Sequence, residues 1–101
     1  MLLSVFERLV LLNIMPKEGD ITTIKIIGKL KDNLSFSEDE HKALELKNDN
    51  GQIAWKQEAD IPKEIEIGEK ALDIISDALK KLNKEKKLTE AHIPIYDRFV
   101  S

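Results

Sequence analysis

Residues 1–15 read MLLSVFERLVLLNIM, and only Ser4, Glu7, Arg8 and Asn13 among them are polar. Glu7 and Arg8 cut the apolar run, and no Ala-x-Ala-like site follows before Lys17, so a cleaved export signal is not expected. A spanning helix needs roughly 20 apolar residues, and this run is too short and too interrupted for one. The remaining reading is a surface-to-core helix. Ser4-Val5-Phe6-Glu7 has the form of a capping box, in which Ser4 accepts from the first-turn amides and Glu7 reaches back. Wound at about 100° per residue, Leu2, Val5, Phe6, Leu9, Val10 and Leu12 form a broad apolar face, with Ser4, Glu7 and Arg8 opposite. Leu11 falls in the middle of that polar stripe and Leu3 flanks it.

A helix that is apolar nearly all round is either central and packed on every side, or carries a second surface for another chain. A chain of 101 residues has few helices with which to surround it. The expectation is therefore a homo-oligomer, most simply a two-fold dimer, with Leu3 and Leu11 at the subunit interface.

That length makes one domain, residues 1–101. There is no cysteine, which removes disulfides, thiol nucleophiles and thiolate zinc sites and fits a cytoplasmic location. With 16 basic and 19 acidic side chains the net charge is −3, so no global positive field draws the chain to nucleic acid or anionic lipid. Only Arg8 and Arg98 are arginines, the side chain that usually reads guanine edges or clamps phosphates. Neither nucleic acid nor membrane is an expected partner.

Beyond Pro16, which ends the first helix, Gly19-Asp20 makes a turn. Thr22 or Thr23 then caps a second helix with Ile24, Ile27, Leu30 and Leu34 at helical spacing. Ser37-Glu38-Asp39-Glu40 is a second capping box, opening a short acidic helix. In ELKNDNGQIAWK, two short segments flank Asn-Asp-Asn-Gly, a hairpin signal with Ile53 and Trp55 alternating with polar neighbours. KEIEI alternates at period two and reads as a third strand with Ile65 and Ile67 on one face. From Gly68 a long helix buries Ala71, Leu72, Ile75, Ala78, Leu79 and Leu82, and its lysines gather at the C-terminal end, where the dipole favours them. A last short helix starts after Thr89 or at Pro94. The expected fold class is α+β, mostly helical: N-terminal helices, a central β-hairpin plus a short third strand, and a long C-terminal helix.

The chemistry-bearing residues form no catalytic constellation. Glu38, His41 and the distant His92 lack metal-ligand spacing, and Glu64 and Glu66 read as outward strand charges. No enzyme activity, metal or cofactor is expected. Gly19 to Lys25 places a turn, the hydroxyls of Thr22 and Thr23, and Lys25 at a helix N-terminus, where free amides favour anions. Lys29 lies one turn on. A nucleotide-type ligand held there could stack its base on Trp55 or Tyr96. Three helices and a hairpin are also the order of a winged helix, whose reading helix would be the segment 37–46. Its first turn, however, presents three carboxylates to the phosphates.

The stretches ERLVLLNIMPKEGDITTIKIIGKLKDNLSFSEDE (7–40) and KEIEIGEKALDIISDALKKLNKEKKLTEAHIPIYDRF (63–99) resemble small uncharacterised proteins of phages and prophages. The resemblance carries no catalytic or ligand residues. It implies a class: a non-enzymatic, oligomeric accessory protein that blocks or sequesters a host defence component, either a host protein or a nucleotide-type signal. The alternatives are a winged-helix DNA-binding regulator and a virion assembly factor.

Overall fold

Ser4 turns the chain from strand to helix. In the computed structural model, which describes residues 1–49 and 52–100, Leu2–Leu3 form strand β1 and Val5–Ile14 form helix α1. The capping box is made: the Glu7 amide donates to the Ser4 hydroxyl at 3.2 Å, and the Ser4 amide donates to the Glu7 carboxylate at 3.0 Å. Asp60 accepts from the Val5 amide at 3.1 Å, so a second first-turn donor is satisfied from far along the chain.

Helix α2 spans Ile21–Leu34. Its N-cap is Asp20, whose carboxylate accepts from the Thr23 amide at 2.7 Å. The expected cap by Thr22 or Thr23 is thus corrected: aspartate caps better than threonine, and starting earlier moves both threonines into the first turn. Helix α3, Glu38–Leu44, opens on the Ser37–Glu40 capping box and closes at Glu45, in the left-handed region at φ 51°. Strands β2, Lys47–Asp49, and β3, Gln52–Ala54, pair antiparallel with Asn48 opposite Ile53. The Asn50-Gly51 part of the hairpin signal lies outside the described residues.

The third strand is shorter than the alternation suggested. β4 is Lys63–Glu64, and it pairs antiparallel with β1 and not with the hairpin, Leu3 facing Lys63 and Leu2 facing Glu64. Ile65 just beyond it is buried, as its place in the pattern requires. Helix α4 runs Glu69–Lys84 and buries Ala71, Ile75 and Leu79, with Leu72, Ala78 and Leu82 half-buried. Thr89 caps a 3₁₀ turn, Glu90–His92, that continues into helix α5, Ile93–Phe99, with Pro94 in its first turn. There the missing proline N–H removes no helical bond. The architecture is α+β and mostly helical, with the hairpin and the long C-terminal helix where they were expected.

α1 packs against α2, α4 and α5. One core unites Leu3, Val10 and Leu11 with Ile27, Leu30 and Leu34 of α2, Ile65, Ala71, Ile75 and Leu79 towards α4, and Ile95 of α5. Leu3 and Leu11 are each 0% exposed within their own chain, which corrects their assignment to a subunit interface. Two local causes explain it. Leu3 lies in a strand, so it points inward while Leu2 points out, 55% exposed. Leu11 shares its helical face with Arg8, and that supposedly polar stripe is the one that enters the interior. Of the two alternatives the central one describes α1, which packs on three helices of its own chain and leaves Phe6 and Asn13 exposed.

Candidate functional site

The charged residues divide into those bonded within the fold and those left on its surface. Arg8 is 1% exposed and is held on every side. Its Nε donates to the Leu34 carbonyl at 3.1 Å and its Nη2 to the Ser35 carbonyl at 2.7 Å, two acceptors at the end of α2 with no helical partner. Nη1 donates to Glu40 at 2.5 Å, and the guanidinium lies 4.0 Å from the centroid of the Phe36 ring. Lys63 adds a bond to Glu40 at 3.2 Å. The hydrogen bond from Arg8 leads the causes that lower Glu40 from its ordinary 4.5 to about 2, against the burial that pushes it up. Glu7 pairs with Arg98 of α5. Burial pushes Glu7 up, but the Ser4 amide and Arg98 outweigh it and hold the carboxyl low. These groups join α1 to α2, α3, β4 and α5, and their role is architectural.

A second set of charges borders a groove between α2 and α4. One cavity of about 310 Å³ is lined by Ile26, Lys29, Leu30 and Asn33 of α2, then by Glu66, Gly68 and Glu69 to Ala71. An adjoining cavity of about 300 Å³ is lined by Asp20, Thr22, Thr23 and Ile26, with Lys70, Asp73 and Ile74 opposite. Ile26 and Lys70 border both, so the two cavities adjoin along one groove, the α2–α4 channel. Residue numbers rise along α4 as they fall along α2, so the helices border the channel antiparallel. Leu30 and Ala71 are buried in its floor and Ile26 and Ile74 are half-buried. Asp20, Lys29, Glu66, Glu69, Lys70 and Asp73 are all exposed on its rim. Among the described residues none of these six joins an ion pair.

The channel takes in three of the five residues expected to hold an anion. Thr22 and Thr23 line one half and Lys29 the other. Lys25, exposed, lines neither. Trp55 is tied elsewhere: its indole N–H donates to Asp60 at 3.2 Å, and the same carboxylate holds the Val5 amide. The α2 N-terminus also already carries a negative group, the Asp20 carboxylate, which the Thr23 amide keeps below the usual range. A phosphate placed there would meet like charge. In the sequence Asp20 reads as a turn residue and Glu66 as an outward strand charge, and Glu69, Lys70 and Asp73 receive no role, because nothing local says that residues 20–33 and 66–74 share a border.

Helix α3, the reading helix of a winged-helix arrangement, is 7 residues long and begins Glu38-Asp39-Glu40. Among the described residues no group of three or more histidine, cysteine, aspartate or glutamate side chains could hold a metal ion. No described helix is long and apolar enough to cross a membrane. Comparison of the chain with protein-family models, curated proteins and solved structures finds no match.

Proposed function

We propose that this chain is a non-enzymatic binding protein that acts by occupying another protein of the cell, and that the α2–α4 channel is the surface it uses. The observation that carries the reading is an apolar floor bordered by exposed charges with no ion-pair partner among the described residues. Small-molecule sites place a few polar groups deep among apolar walls, where they fix one orientation. Here every charged group stands at the rim and the floor is aliphatic, the pattern of a protein interface with an apolar centre and a polar border. Of the two targets expected from the phage-type resemblance, the protein is therefore favoured over the nucleotide-type signal, whose phosphates Asp20 would repel.

The test compares host-cell proteins retained by the wild-type chain and by a Thr22→Glu/Lys29→Glu variant, with nucleotide binding followed by calorimetry. A partner held by the first and lost from the second, with no heat from nucleotides, is the expected result. A partner retained equally by both, or a nucleotide that binds, contradicts the reading.

A further inference from the structure

Resting on the assignment of the α2–α4 channel as a protein-binding surface, we infer that its occupant is an amphipathic helix with basic residues near both ends. Charge complementarity is the first argument. The rim carries four carboxylates, Asp20, Glu66, Glu69 and Asp73, against two ammonium groups, Lys29 and Lys70. None of them joins an ion pair among the described residues, although Asp20 also caps α2 through the Thr23 amide. Their order along the channel matters as much as their number. Asp20 lies at one end of α2, and Glu66 borders the other end beside Asn33, which donates to the Glu66 carbonyl at 3.3 Å. Lys70 belongs to both halves and stands between the acidic ends. An occupant matched to this order has Lys or Arg near each end and Asp or Glu towards its middle.

Shape is the second argument. From Asp20 to Asn33 the border follows α2 for about 20 Å at 1.5 Å per residue. A partner helix of about 14 residues covers that length. The two halves, about 310 and 300 Å³, meet at Ile26, and their linings on α2 are centred about 10 Å apart. That spacing suits two apolar anchors one or two turns apart on one helical face, each entering one half. Leu30 and Ala71 wait in the first, and Ile26 and Ile74 in the second.

A displayed library of random 16-residue peptides, selected on the native protein, tests this. The enriched sequences are expected to carry apolar residues at i and i+4 or i+7, with Lys or Arg near both ends. Their amide shift changes should fall on residues 20–33 and 66–74. Their affinity should drop at least about tenfold for the Glu66→Lys/Asp73→Lys variant, which alters only exposed side chains, and should weaken as salt rises. Acidic or uncharged peptides seated in the same channel would overturn this inference and leave the channel's assignment standing. Peptides that bind elsewhere, or no enrichment over the starting library, would overturn both.

Discussion

Arg8 is where one side chain governs the most structure. A buried guanidinium is tolerable only with its donors occupied, and here they reach the last carbonyls of α2 and the first turn of α3 at once. Arg8→Ala leaves the Leu34 and Ser35 carbonyls without their donor and Glu40 with only Lys63 and the Ser37 amide, and a loss of about 3–5 kcal/mol is expected in urea unfolding. Arg8→Lys should recover only part of it, since an ammonium cannot repeat the planar fork. Glu40 gives the same contact a pH signature. Its folded value, about 2, lies below the ordinary 4.5, so the folded state binds the proton less readily than the unfolded chain. The contact's contribution is therefore complete above about pH 4.5 and declines as pH falls towards 2. Acid titration of stability should be visibly flatter for Glu40→Gln; an unchanged slope would remove Glu40 from the account. Leu11→Ala should cost about 2–5 kcal/mol as a core cavity and leave the sedimentation coefficient of the folded protein unchanged. A lowered coefficient would return Leu11 to an interface.

At the scale of elements, α2 holds an avoidable weakness. Gly28 lies within the helix with nothing within 4 Å of where a Cβ would stand. Gly28→Ala is expected to raise stability by about 0.5–1 kcal/mol in thermal unfolding. The segment of α3 and the hairpin is held differently from the rest. Val5 and Leu44 are buried but stand outside the main core, and cavities of about 450 and 220 Å³ lie where this segment meets α1. Hydrogen exchange should open α3 before α4, and Glu40→Gln should speed exchange in α3 by about tenfold while leaving Ile75 and Leu79 unaffected. Equal acceleration in both helices would mean that the two unfold as one. Local signals made most elements legible: both serine capping boxes, the buried stripe of α4 and the alternation around the hairpin. What escaped them has physical causes. Two-residue strands have no period to detect, so the β1–β4 pairing and with it the burial of Leu3 stayed hidden. A charge is read as solvent-facing until its partners are known, so Arg8 hid the true inner face of α1. The channel joins segments more than thirty residues apart, and only Thr22, Thr23 and Lys29 were singled out in advance.

In the whole molecule, α1 works as the internal pillar, and its apolar excess is absorbed by three helices of its own chain. The surface available to a partner then has to be sought elsewhere, and the α2–α4 channel offers an aliphatic floor with rim charges that make no ion pair among the described residues. α1 keeps a narrow outward strip, with Phe6 40% exposed and Asn13 beside it on the helical face. That strip and the channel make opposing claims, and amide shift mapping on the labelled protein separates them once a partner retained from cells is added. The perturbed amides are expected to run along residues 20–33 and 66–74, with α1 and the hairpin silent. Perturbations centred on Phe6 to Asn13, or on β2 and β3, would contradict it.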